Sequence, residues 1–188
     1  MKKVLLLLSN GFEAYEASVF TDIIGFSQTG GIDINIESVG MHPTLTCAYG
    51  FSVIPNKQIN EIDAKSYDAL AIPGGSTESG FYVDAYTNKF LHIITTFDKL
   101  HKPIAGICTG GMPIAKSLAL KGKNGTTFPG KRQSEMATYG VTIQNKDIVV
   151  DKNIITSSSP KTGVNVVFKL LEMLMTSSKI DNIKSFFI

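Results

Sequence analysis

Short unbroken apolar runs alternate along this chain with longer segments whose apolar residues recur at helical spacing. Lys3 to Leu8 is such a run, closed by Ser9-Asn10-Gly11, and has the form of a strand buried on both faces of a parallel sheet. A helix is predicted from Ala14 to about Gln28, with Val19, Phe20, Ile23, Ile24 and Phe26 near helical spacing and Thr29-Gly30-Gly31 as its stop. Ile32 to Val39 alternates as a second strand, and Leu45 to Ile54, broken at Tyr49-Gly50, reads as a hairpin on the sheet margin.

The pattern then resumes. Asp68 to Ile72 is a third core strand stopped by Pro73-Gly74-Gly75, Asn88 to Leu100 is helical, and Pro103 to Ile107 is a fourth strand running into Cys108. A helix is expected from Gly110 to about Leu120, followed by a stretch from Lys121 to Gly140 with little periodicity. Strands at Asp147 to Val150 and Ile154 to Thr156 precede a strongly apolar last helix, Thr162 to Met175, and a tail from Ser177 that either docks as a helix or frays. Strands alternating with helices of this length imply crossover connections and a mainly parallel sheet covered on both faces. With 188 residues and no linker or repeat, one α/β domain spanning 1–188 is expected.

Composition narrows the function classes. A net charge of +2, with lysines scattered along the chain, gives no footprint for nucleic acid. The opening MKKVLLLLSNGFE has the lysines and apolar run of a signal peptide, but the run is short and leads into Gly and Glu, so it is read as a buried strand. No apolar stretch approaches the roughly eighteen residues a membrane span needs. Cys47 and Cys108 lack metal-like spacing and are too few for a disulfide framework, which fits a reducing, cytoplasmic setting with no bound metal or cofactor.

Chemistry is expected where parallel strands end. Three small-residue turns fall there, NGFE, PGGS and CTGG, and should converge. Cys108 sits where a buried strand turns into a helix, and Gly106, Gly110 and Gly111 permit a sharp turn of the nucleophile-elbow kind. Amides at the start of the next helix should favour the thiolate. A free cysteine is only about 3% ionised at neutral pH, so a drop of three pKa units would raise the reactive fraction roughly thirty-fold. Cys47 has neither a glycine turn nor a helix start and reads as a buried small apolar residue. Glu13 and Glu16, three apart, share one side of a starting helix; Glu13 reads as a first-turn acid facing the helix dipole, whereas Glu16 is harder to explain as a cap. A carboxyl beside the thiol would raise its pKa unless it keeps its own proton and donates a hydrogen bond to sulfur. The Pro73-Gly74-Gly75 turn can offer an amide to an anion. His42, His92 and His101 fall in a loop, in a helix and at a helix end, and form no evident pair with either cysteine.

KKVLLLLSNGFEAYE, DALAIPGG, AGICTGG and DKNIITSSSP, in this order, resemble the DJ-1/ThiJ/PfpI superfamily over nearly the whole chain. The resemblance implies a flavodoxin-like three-layer sandwich, usually a homodimer. It places Cys108 at the reactive cysteine, Glu16 at the carboxyl that hydrogen-bonds it, and the amides of Gly75 and Thr109 at the oxyanion or sulfinate donors, with Glu13, Gly74 and Phe128 lining the site. Two departures stand out: Thr109 follows the cysteine where the peptidase branch carries His, and Phe128 in TTFPG occupies a place where many members carry His. The implied activity is attack on a small electrophilic carbonyl, of glyoxalase or deglycase type. The alternatives are a cysteine-based sensor of oxidants or a chaperone-like protein without turnover, then an isocyanide-hydratase-like enzyme or an intracellular peptidase. A looser likeness to class I glutamine amidotransferases fails for want of a late His-x-Glu pair.

Overall fold

The computed structural model describes the backbone of residues 1–188 and the side chains outside 177–179. Its centre is β1, Lys2–Leu8, in which alternate residues face opposite sides. Val4, Leu6 and Leu8 enter one apolar cluster, Leu5 and Leu7 the other. That two-sided burial explains why the strand is uniformly apolar.

Around β1 a seven-stranded sheet forms from β2 (Ile34–Gly40), β5 (Lys57–Gln58), β6 (Ala69–Ile72), β7 (Ile104–Gly106), β10 (Ile148–Asp151) and β11 (Ile154–Ser157), in the order β10-β11-β7-β6-β1-β2-β5. All neighbours are parallel except the β10–β11 pair. The remaining short strands are β3 (Leu45–Thr46) paired with β4 (Ser52–Val53), the expected hairpin as a separate two-stranded sheet, and β8 (Asn124–Gly125) with β9 (Thr142–Ile143).

One face of the sheet is covered by α1 (Ala14–Thr29), α6 (Gly163–Leu174) and α7 (Ser177–Lys184), the other by α2 (Phe81–Ala85), α3 (Asn88–Lys99), α4 (Gly111–Lys116) and α5 (Lys131–Thr138). This is the three-layer α/β sandwich expected. The tail docks: Ile180 and Ile183 are buried, and Phe186 and Phe187 meet Phe26 with ring centres 5.3 and 5.6 Å apart.

Two local expectations need correction. The helix after Cys108 stops at Lys116 and does not reach Leu120, because Ser117 Oγ turns back to the Ile114 carbonyl and Leu118 takes a left-handed conformation, φ +69°. The stretch from Lys121 to Gly140 holds α5, whose only buried residue is Met136, so it carries no apolar stripe to read.

Leu6 is 1% exposed at the middle of β1, between Ser38 and Ala71 of its neighbours. Leu6→Ala is expected to lower stability by about 2–5 kcal/mol. Denaturant unfolding should show this as a lower midpoint with an unchanged slope.

Candidate active site

The register of the sheet builds the site. β7 lies between β6 and β11, with Gly106 opposite both Ile72 and Thr156, so the residues following all three strands emerge side by side. Ile107 donates to the Ile72 carbonyl at 3.1 Å, and Gly110 to the Ile107 carbonyl at 2.7 Å, which folds Cys108–Gly110 into one tight 3-10 turn leading into α4. The strain of this elbow falls on the cysteine itself. Cys108 has φ +52°, whereas Gly110 and Gly111 have ordinary helical φ of −62° and −66°. Gly110 is needed for close approach: a Cβ there would stand 2.4 Å from the Ile72 carbonyl oxygen.

Both backbone polar groups of Cys108 are met by hydroxyl side chains. Its N–H donates to Ser157 Oγ at 3.3 Å, and Thr127 Oγ1 donates to its carbonyl at 2.9 Å. The sulfur-bearing residue is 3% exposed, and the Thr109 amide beside it favours the ionised sulfur.

Glu16, on the first turn of α1, is fully buried against it. Glu16 Oε2 accepts from the Gly74 amide at 2.5 Å, Oε1 has no conventional partner, and the carboxyl interacts with the Cys108 thiol. Gly74 is required here, since a Cβ would lie 2.6 Å from Thr109 Oγ1 and 2.8 Å from Glu16 Oε2. Burial and then repulsion from Glu13 push the Glu16 pKa up to about 8, against the pull of the Gly74 amide. The carboxyl therefore holds its proton at neutral pH. Burial and the Glu16 charge push the Cys108 thiol upward as well, with only the Thr109 amide opposing them. This corrects the expectation that the turn lowers the thiol pKa: desolvation outweighs the helix start.

The other expected residues divide. Gly75 does not present a free amide, because its N–H donates to Thr109 Oγ1 at 2.8 Å while the same hydroxyl donates to the Gly75 carbonyl at 3.0 Å. Glu13 stands at the N-cap of α1 without capping any amide, and burial raises its pKa. Phe128 is 48% exposed, just beyond buried Thr126 and Thr127. Cys47 is buried in the hairpin, and burial raises its pKa. His42 bonds Asp84 at 2.9 Å, and His101 precedes β7 and so lies at the opposite end of the sheet from Cys108. Thr127 and Ser157 were not anticipated as site residues. Both lie in the polar tracts TTFPG and TSSSP at strand ends, a signal available in the sequence. Among the described residues no three His, Cys, Asp or Glu side chains gather as a metal site would require, and no helix is long and apolar enough to cross a membrane.

The DJ-1/PfpI family profile matches residues 2–173. The chain belongs to the DJ-1/PfpI family. It is 28% identical over 158 residues to a deglycase of Pyrococcus horikoshii, covering 84% of this chain and 90% of that protein. In structure it is similar to Schizosaccharomyces pombe DJ-1, with a TM-score of 0.84, 25% identity and 98% of both chains covered. The fold of Drosophila melanogaster DJ-1beta matches with a TM-score of 0.85 at 21% identity, over 98% of this chain and 96% of that one.

Burial of a protonated Glu16 gives this DJ-1/PfpI protein a pH-dependent stability with a definite sign. In the unfolded chain Glu16 ionises near its ordinary 4.5, in the folded protein only near 8. Between these values the native state binds more protons than the unfolded state, so stability is fully present below about 4.5 and falls as pH rises through 8. The slope reaches about 1.4 kcal/mol per pH unit. Urea unfolding at pH 5 and pH 8 should show Glu16→Gln losing less stability over this interval than wild type; equal losses would place the raised ionisation elsewhere.

Proposed function

We propose that Cys108 is the nucleophile of an enzyme acting on small electrophilic carbonyls, in the manner of a glyoxalase or deglycase. The observation that carries this reading is the left-handed Cys108 at the strand-to-helix elbow, set against the buried, proton-holding Glu16. The name of the Pyrococcus horikoshii relative as a deglycase supports the same class.

With methylglyoxal, sulfur bonds to the aldehyde carbon and the C=O π pair moves to oxygen, which takes a proton to give a hemithioacetal. Glu16, once ionised, removes the proton left on that carbon and returns it to the neighbouring carbon, while the hydroxyl proton passes to the former ketone oxygen, converting the adduct to a lactoyl thioester. Water cleaves the thioester to lactate and restores the thiol. The Thr109 amide faces the reacting sulfur and is the backbone donor available to the developing oxyanion; Gly75 contributes by fixing the Thr109 hydroxyl.

A second reading is favoured by His42 being held by Asp84 and His101 lying at the far end of the sheet. A sensor that oxidises Cys108 to sulfenic or sulfinic acid needs no acid or base from histidine. For either role the assembly we propose is a homodimer in the cytoplasm. Support comes from the exposed Tyr15, Tyr49, Phe51 and Ile54 on α1 and the hairpin, and from the two unpaired cysteines.

Purified protein is expected to form lactate from methylglyoxal at a rate that Cys108→Ser abolishes; equal rates in the two proteins would rule the enzyme out. Under mild peroxide, peptide mass spectrometry should find oxygen on Cys108 ahead of Cys47 if the sensor reading holds, and preferential oxidation of Cys47 would remove it. Because Cys108 and Glu16 share their ionisations, the alkylation rate of Cys108 in a Cys47→Ser background should rise with pH in two steps. Glu16→Gln should leave a single step.

A further inference from the structure

Away from Cys108, a second group of polar side chains gathers where β6, β1 and β2, neighbours in the sheet, end side by side. Asn10 follows β1, His42 follows β2, and Asp84 lies on α2 beyond β6. With Thr46, Ser79 and Val83 they line a cavity of about 440 Å³ that neither Cys108, Glu16 nor Thr109 lines. The chain runs outward from β1 to β2 and β5 and then returns to β6 on the other side of β1, so strand order reverses here. Crevices at the carboxyl ends of strands beside such a reversal are where α/β sheets bind ligands, and small-molecule sites span roughly 300–1,000 Å³.

Asp84 is the buried member, its side chain 7% exposed. Its Oδ2 accepts the Asn10 N–H at 2.9 Å, and His42 Nε2 stands 2.9 and 3.1 Å from its two oxygens. A carboxylate only accepts, so Nε2 carries the hydrogen and the neutral ring keeps its lone pair on Nδ1. Among the described residues nothing bonds that nitrogen, and the His42 side chain is 45% exposed on the cavity. Asn10 is fixed as well: its Oδ1 accepts the Thr46 N–H at 3.0 Å, which leaves its NH2 group as a donor. Ser79 closes the wall, its hydroxyl donating to the Ala48 carbonyl at 3.0 Å. The cavity thus holds an oriented base, the buried carboxylate that orients it, and a neutral amide donor.

We propose that His42, oriented by Asp84, is the general base of a second, hydrolytic site that cleaves short-chain carboxylic esters with water as the nucleophile. Nδ1 takes a proton from water as the water oxygen bonds to the ester carbonyl carbon, and the π pair moves onto the carbonyl oxygen, where the Asn10 NH2 group donates to it. Asp84 stabilises the imidazolium so formed. The pair then returns from oxygen, the bond to the alkoxy oxygen breaks, and the imidazolium gives its proton to the departing alkoxide. Ester and water become acid and alcohol, and the ring is neutral again. Val83 is the one apolar side chain among those lining the cavity, so a short, polar ester fits it better than a long acyl chain.

The test uses 4-nitrophenyl acetate as probe and the full chain carrying Cys47→Ser and Cys108→Ser, so that no thiol contributes. Sustained turnover is expected, and His42→Gln should lower kcat/KM at least about a hundredfold. Asp84→Asn should lower kcat, because an amide NH2 facing Nε2 favours the wrong tautomer. Because Asp84 is buried and its variant can fail to fold, a second measurement leaves it intact: in His42→Ala, added imidazole should restore turnover. A merely structural tie between the two loops would not be restored in this way. Release of 4-nitrophenolate that halts once the protein is acylated, turnover equal in His42→Gln, or no rescue by imidazole would each overturn the proposal.

Discussion

A cysteine held at φ +52° is the constraint on which the rest of the site depends. Such a conformation costs about 1–3 kcal/mol and persists only where its surroundings enforce it. Here the enforcement comes from two distant parts of the chain, Thr127 ahead of α5 and Ser157 at the end of β11, each binding one backbone polar group of Cys108. Ser157 is in place because β11 pairs with β7 in a register that sets Thr156 opposite Gly106. The elbow is therefore completed by the sheet's last parallel pairing, and the nucleophile is aimed only in the fully assembled fold.

The same enclosure sets the electrostatics. A helix start contributes at most about 2 kcal/mol toward an adjacent anion, while full burial can shift an ionisable group by several pKa units. For Cys108 and Glu16 burial wins, so both resist ionisation and the pocket accepts a single negative charge. While Glu16 keeps its proton, that charge can rest on sulfur, with the carboxyl donating to it; once the carboxyl ionises, its charge opposes the thiolate. Thiol reactivity is thus tied to the protonation of Glu16, not to the turn alone.

Much of this was legible in the sequence. β1, β6 and β7 are read directly from their apolar runs because burial on both faces leaves no room for polar residues, and the glycine turns that follow mark Cys108, Gly74 and Thr109. Glu16 stood out because a carboxyl one turn into an apolar helix has no role as a cap. What could not be read were features without periodicity. The eight-residue α5 buries Met136 alone, so its polar sequence resembles a loop. The balance between helix start and desolvation depends on how deeply the thiol is enclosed, which no local pattern reports, and the loss of the Gly75 amide to Thr109 Oγ1 depends on two turns meeting in space.

The unreadable part of the fold also governs charge at the pocket. A free cation beside Cys108 would draw the thiol and Glu16 toward ionisation together and put two negative charges where burial tolerates one. Arg132 approaches the site but its charge is matched by Glu135, and Lys116 is spent on the rings of Tyr86 and Tyr139. What remains at the elbow is neutral: the Thr109 amide and the protonated Glu16. A neutral donor can stabilise an oxygen anion as it forms without first stabilising the carboxylate that would compete with it. The helix pair α2 and α5 thus matches its charges within itself and leaves the elbow to neutral donors.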